Sequence, residues 1–548
     1  MRIDFLELEQ VFALMRDRLN ARTTLRLLGR SPAKNFSVAP LRGEAAPPIA
    51  TPLLAACVLL GTDELAAVAR EVLAYLKSIQ RETGRVDLAN ANPDSGADTA
   101  FVVQNLAPAL GQLRGQQLTP AWAEVRGELE TFLRAATQGL LNDGGIHTPN
   151  HRWAMDCALR QAAQLFDEMA GALHAYGDTL RAETPDCDAE GFFIERSLAL
   201  YDSINTRSIL LSDALTPWPQ GRDAALRCLR RDLDLLHFDG SGDTVLSRRQ
   251  DRGSIEVCVK LAPSYLLAGK LTGDETLAAA GVWLMQRALE EDQLELATLV
   301  SWARTVKRTG TKAVPAFALG GLDLLLPVNG LWRYRSAPLS FTAAAGTERI
   351  MGLVAGAVRV SGVSISRSYM GRGRFVPRAI RREGEEVILE SVGWHPKPHG
   401  YFLPLNRPVG DTEAAFEASR AERGLRELPA PDLRMRMKAQ GAGVVIALDS
   451  LGSLEKVPAH VAIDLPAGGE YVSGDTAFEP TAGQVILHRA GTAMWRVGND
   501  ALVIEGGAEA HRTYQMRDTT PVPAGHVRVL INLETPLKHT IALRHVGL

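Results

Sequence analysis

The hydrophobic period of this chain changes once, near Pro327-Val328-Asn329-Gly330. Before that point apolar residues recur every three to four positions, in segment after segment. After it, short runs alternate apolar and polar residues. A helical stripe and a strand face need different spacings. The switch therefore divides the chain into a helical part and a β part. A length of 548 residues carries the same implication, being long for one domain.

The helical segments read as 53–60, 64–80, 101–113, 121–140, 152–176, 192–215, 222–237, 255–270, 274–291 and 293–307. Short Gly/Pro/Asp loops separate many of them, the pattern of stacked helical hairpins. No fixed-length repeat is visible, which argues against a tetratricopeptide-like solenoid. Helices in antiparallel pairs suit an α/α toroid, whose inner ring encloses a cleft. The later runs, among them 356–361, 386–391, 443–448 and 527–533, are split by Gly, Pro and Asp turns and predict an antiparallel β-sandwich. The expected fold is α+β and multidomain: an N-terminal helix and link over 1–48, an α/α toroid over 49–328 and a β-sandwich over 329–548.

Composition excludes several functions. A net charge of −3 gives no electrostatic case for nucleic acid or an anionic membrane surface. No apolar run is long enough to span a bilayer. Acids interrupt the first ten residues where a signal peptide needs an apolar stretch. Five cysteines (Cys57, Cys157, Cys187, Cys228 and Cys258) are scattered and form no CxxC pair. That argues against a disulfide framework and a cysteine-based zinc site, and for a reducing, cytoplasmic compartment. A homo-oligomer stays open.

Polar clusters interrupt the helical half. Gly144-Gly145-Ile146-His147-Thr148-Pro149-Asn150-His151-Arg152-Trp153 sits between two helical patterns, which puts Asn150 and His151 at a loop-to-helix junction. Asn150 either caps the helix or points into a cleft with His151. Residues 86–98 form a polar loop before Thr99, read as a helix cap or a substrate-contacting segment. From Glu190 to Arg207, Glu195, Ser197 and Tyr201 lie within two turns, and Tyr201 and Asn205 share a face. A tyrosine among leucines is by default a core residue with one hydrogen bond. Ser247-Arg248-Arg249-Gln250-Asp251-Arg252 offers guanidinium groups suited to a carboxylate or sulfate, or a solvated face. In the β half, Trp394, His395 and His399 stand in a loop with ligand-type side chains that could hold a divalent metal, act as a base or simply decorate the loop.

Together these features resemble the heparinase II/III-like polysaccharide lyases. Asn150-His151 is similar to that family's Asn-His pair. Gly191-x-x-x-Glu195-x-Ser197 leads to Tyr201, 51 residues after Asn150, as a similar segment leads to the family's catalytic tyrosine. Asp202 follows Tyr201 where the family has a histidine. The resemblance implies β-elimination at a uronic acid, cleaving a 1,4-glycosidic bond to give an unsaturated product. It implies Asn150, His151, Tyr201 and His399 as catalytic residues. His147, Arg152, Glu195, Asn205, Arg207, Arg248, Arg249, Trp394 and His395 would contact substrate. Asn150 would neutralise the carboxylate, Tyr201 would serve as acid and in some members as base, and His151 or His399 is the alternative base. No cofactor is required by that chemistry; a structural divalent metal, zinc or calcium, stays open. The partner would be a uronic-acid oligosaccharide or polysaccharide. Two rivals remain: a toroid glycoside hydrolase using a carboxylate pair from Asp98, Asp143, Asp156 and Glu195, and a non-catalytic carbohydrate-binding protein.

Overall fold

The computed structural model describes residues 3–25, 46–88, 91–310, 312–391 and 400–548. The chain divides into two compact units, Met1–Leu319 and Gly320–Leu548.

The first unit is built from helices α1 (Leu8–Leu25), α2 (Ala46–Leu60), α3 (Asp63–Ser78), α4 (Gly96–Arg114), α5 (Pro120–Asp143), α6 (Pro149–Ala163), α7 (Asp167–Ala182), α8 (Tyr201–Asp213), α9 (Pro219–Leu235), α10 (Ala262–Thr272), α11 (Glu275–Glu290) and α12 (Leu296–Thr309). Consecutive helices pack as hairpins: α2 on α3, α4 on α5, α6 on α7, α8 on α9 and α10 on α11. The even-numbered helices also pack in a closed ring, α2–α4–α6–α8–α10–α12 and back to α2. This is an α/α toroid. Sequence explains which helices go inside. On α3 the buried Ala66, Ala69, Val72, Leu73 and Leu76 form one stripe, as a surface helix requires. On α6 nearly every residue from Asn150 to Ala163 is buried, polar ones included. α1 packs against α12, and just before α1 the carbonyl of Phe5 accepts from Trp302 Nε1 at 2.7 Å. The N-terminal helix is thus part of the toroid; residues 26–45 lie outside the described residues.

Three expectations needed correction. The segment 152–176 is two helices, because the chain turns between Ala163 and Asp167. Only Tyr201–Asp213 of 192–215 is helical. The polar stretch 86–98 contains a small antiparallel hairpin, β1 (Val86–Leu88) with β2 (Asn92–Ser95), that leads into α4.

In the second unit, β3 (Leu322–Leu326) pairs with β4 (Leu331–Ser336) across Pro327–Gly330. The turn residues at 327–330 therefore join two strands, with Gly330 at φ +69. The β region begins before 329 for that reason, and the division falls at 319/320. β5 (Leu339–Ala344), β6 (Met351–Ala355) and β7 (Val358–Arg367) continue the meander. Pro458–Pro466, His526–Glu534 and Val485–Leu487 complete this eight-stranded sheet. A nine-stranded sheet carries Leu433–Gln440, Gly443–Ser450, Asp500–Gly507 and Lys538–Gly547. Trp332, Phe341 and Ile463 of the first sheet share one core with Met435, Trp495 and Ile504 of the second, so the unit is a β-sandwich. Val485–Leu487 runs parallel to His526–Glu534; the other strand pairs are antiparallel. No helix among the described residues is long and apolar enough to cross a membrane.

A candidate active site in the helical unit

The inner ring encloses a cavity of about 580 Å³. Five inner helices reach it with their N-terminal halves: Thr51 of α2, Asp98 and Phe101 of α4, Asn150 and His151 of α6, Tyr201 and Arg207 of α8, and Ala297 and Ser301 of α12. Helix N-termini carry partial positive charge and free N–H groups, which suit an anionic ligand.

Tyr201 opens α8, and the residues before it explain its placement. Gly191 has φ +94, and a Cβ there would stand 2.8 Å from Arg227 O, so only glycine lets the chain pass α9 at this depth. Ser197 then organises the first turn. Its carbonyl accepts from the N–H groups of Tyr201 and Asp202, both at 2.9 Å. Its hydroxyl donates to Asp251 Oδ1 at 2.8 Å. Asp251 also receives Ser247 and the N–H of Ala199, which ties α8 to the arginine-rich loop.

That loop delivers Arg249 to the tyrosine. Arg249 Nη2 donates to Tyr201 Oη at 2.8 Å, and its guanidinium lies 4.1 Å from the ring centroid. Arg249 Nη1 donates to Glu195 Oε1 at 3.0 Å. Tyr201 in turn donates to Gln250 Oε1 at 3.2 Å. The result is a continuous chain, Glu195–Arg249–Tyr201–Gln250, whose last three members line the cavity. Burial pushes the Glu195 carboxyl up to about 7. Arg249, the nearby Asn205 amide and the Asn150 N–H oppose that rise. The Asn205 amide lies just outside hydrogen-bonding geometry, and both of its polar atoms are unpartnered.

Asn150 occupies the first turn of α6, where Thr148 is the cap residue and Pro149 fills the first helical position. Asn150 therefore does not cap. It is part of the cavity wall and fully buried. Thr148 Oγ1 donates to its Oδ1, and its Nδ2 has no hydrogen-bond partner. An unmet buried donor costs about 1–3 kcal/mol. Beside it, His151 packs edge-on against Phe101. Burial lowers its pKa to about 4; Asp98 opposes this, while His147 and Arg249 add to it. His151 Nδ1 accepts the His147 N–H at 3.3 Å, which assigns the proton of the neutral ring to Nε2.

Of the other predicted residues, His147 and Arg207 line the cavity. Arg152 does not. It is buried, paired with Glu183 and Asp186, and stacked 4.2 Å from the Trp153 ring centroid. Glu195 and Asn205 stand behind the wall, and Arg248 is exposed outside it. Trp394, His395 and His399 lie outside the described residues. Asp98 is the one carboxylate among the described residues lining the cavity. Asp156 is enclosed by Arg160, Arg181 and Ser212, and the Asp143 side chain is not among those described.

Sequence reasoning missed Gln250 in the cavity wall and Arg304, which is not itself a lining residue. Gln250 was visible beside the arginines it follows. Arg304, on α12, gave no signal. It donates to Asn105 O at 2.7 Å, near Arg207, which bonds Ser301 Oγ at 2.9 Å. Among the described residues neither arginine meets a carboxylate, and burial lowers both, Arg304 to about 10.

No protein-family model matches the chain, and no curated protein matches it. Solved structures do. Heparinase III superposes with a TM-score of 0.53 at 10% identity, over 91% of this chain and 76% of that one. The chondroitin AC lyase of Streptomyces coelicolor A3, solved with chondroitin sulphate, gives 0.56 at 12% identity, over 98% and 79%. The chain shares its fold with these two enzymes. At these identities the likeness establishes that fold alone. Within this fold, the polar cluster around Tyr201 faces the cavity inside the ring of inner helices.

Proposed function

We propose that this protein is a lyase that cleaves a 1,4-glycosidic bond at a uronic acid by β-elimination. The observation that carries this reading is Tyr201 at the cavity wall, held between the cationic donor Arg249 and the acceptor Gln250.

The C5 proton of a uronate is only weakly acidic, so charge on its C6 carboxylate must be offset as that proton leaves. Preorganised donors at such a position contribute about 10²–10³ in rate. Two donors support this role: the unpartnered Asn150 amide and His151, which stays neutral and presents Nε2–H. With Nδ1 engaged by the His147 N–H, His151 is better arranged to donate than to take a proton. Among the described residues that leaves Tyr201 as the base. Its oxygen takes the C5 proton as its own hydroxyl proton passes to O4, and the Arg249 N–H offsets the charge that builds on that oxygen during the transfer. The C5 electron pair forms the C4–C5 double bond, and the C4–O4 bond breaks with O4 leaving as a hydroxyl. The substrate class is a uronic-acid oligosaccharide or polysaccharide. Five free, buried cysteines support a reducing compartment, hence short saccharides imported to the cytoplasm.

A hydrolase needs two facing carboxylates, and among the described residues the cavity wall carries one. The test is incubation with a panel of uronic-acid glycans, followed by ultraviolet absorbance and mass spectrometry. A lyase gives a product with a C4–C5 double bond and no added water. A hydrated product overturns the proposal.

A further inference from the structure

Behind the cavity wall, where α8 meets α9, lies a second cluster that the proposed reaction does not use. We propose that Asp202, Cys228 and Asp232 form a buried structural zinc site. Their ligand atoms all lie within 4.8 Å of one another. Cys228 and Asp232 stand four apart on α9, so they share a face. Asp202 comes from the first turn of α8. All three residues are shut off from solvent, with Asp202 at 3% exposure.

A separate observation points to a missing partner. Asp202 Oδ1 is buried with no hydrogen-bond donor. Among the described residues neither Asp202 nor Asp232 has an ion-pair partner. The neighbouring cation Arg231 is committed to Glu190 O and Asp234. The wider surroundings are acidic too: Asp186, Glu195 and Asp251 all act on Asp202. Uncompensated carboxylates are rare inside proteins and hold a proton or a metal. A divalent cation would offset the two carboxylates and bind the thiol as thiolate.

The donor set selects the metal. A thiolate with carboxylates suits zinc over calcium or magnesium, which take oxygen ligands. Zinc bonds of about 2.0 Å to oxygen and 2.3 Å to sulfur put tetrahedral O and S donors about 3.5 Å apart. Cys228 Sγ stands 3.5 Å from Asp232 Oδ2. Cys187 lies nearby, outside the group of three. Its thiol lies against Ala224 O at 3.5 Å, one turn before Cys228, and it feels the charge of Asp202 and Asp232. The site would pin α8 beside Tyr201, which precedes Asp202.

The experiment is elemental analysis of the full chain, purified without metal-affinity chromatography from zinc-supplemented culture. The expected result is one zinc per chain that survives desalting, and its loss in Cys228→Ser combined with Asp232→Asn. Trace metal in the wild type, or full zinc in the double variant, overturns the site. Should the double variant fail to fold, cobalt exchange into the wild type decides. A thiolate-to-cobalt charge-transfer band supports the ligation, and its absence refutes it.

Discussion

Replacing Asn150 with leucine should separate a catalytic asparagine from a structural one, because stability and activity should respond differently. The side chain is fully buried, with one bond made and one donor unmet. Leucine has nearly the same shape and no polar atoms. Removing the unmet Nδ2 returns about 1–3 kcal/mol, and losing the Thr148 bond costs about 0.5–1.5 kcal/mol. The net change therefore runs from a loss of about 0.5 to a gain of about 2.5 kcal/mol. The Asn150 backbone N–H that reaches Glu195 is retained. A urea titration followed by tryptophan fluorescence should show a midpoint unchanged or raised, with an unchanged slope. Turnover, followed by absorbance of the unsaturated product, should fall by about 10²–10³, the value of a preorganised donor. The reasoning is refuted by the reverse pattern: a loss above about 3 kcal/mol with turnover intact. That outcome would make Asn150 a core residue whose donor is met by a bound water.

Tyr201→Phe keeps the ring and removes the hydroxyl, so turnover should drop by about 10²–10⁴ while the urea midpoint moves little; near wild-type turnover would exclude Tyr201 as acid or base. His151 has a folded-state pKa of about 4 against an ordinary 6.5, so its contribution to stability is complete above 6.5 and is lost as pH falls toward 4. Screening reduces that loss to about 1–2 kcal/mol, and denaturation against pH should show it in the wild type and lack it in His151→Asn. Gly191→Ala places a Cβ 2.8 Å from Arg227 O at φ +94, which should cost about 2–4 kcal/mol and lower turnover by displacing Glu195 and Tyr201; an unchanged midpoint would contradict it. Calorimetry of an inert uronate in buffers of different ionisation enthalpy should reveal proton uptake on binding near neutral pH, absent in Glu195→Gln.

Much of the fold was legible because burial imposes a period. The helical and β halves follow from spacing alone. The closed ring does not, since it rests on contacts between helices far apart in the chain, such as α12 on α2. The start of the β unit was misplaced because Pro327–Gly330 is turn chemistry, and a turn reads the same inside a domain as between two. Within the site, His151 and Tyr201 were identifiable from their neighbours in sequence. Arg152 misled, because a surface-type residue two positions from Asn150 gives no hint that Glu183 and Asp186 will enclose it. Arg304 was invisible for the converse reason, since its tie to Asn105 spans 199 residues.

The charges around Tyr201 explain why Glu195 is buried at all. When Glu195 is ionised, it balances Arg249, and the pair presents no net charge to a ligand. The negative charge of a uronate would then meet Arg207, neutral donors and helix N-termini, but no help from Arg249. When Glu195 is protonated, Arg249 is free to offset that charge. Burial sets the changeover at about 7. An anion in the cavity favours the protonated form, so binding should draw a proton onto Glu195. A solvated carboxylate, titrating near 4.5, would stay ionised at neutral pH and keep Arg249 occupied. Ser197, two residues on, fixes the turn that carries Tyr201, while Gly191 admits the chain to that depth. The short glycine–glutamate–serine segment thus does three separate physical jobs. It brings the backbone in, tunes the arginine and aims the tyrosine, which is why its spacing matters more than its sequence length.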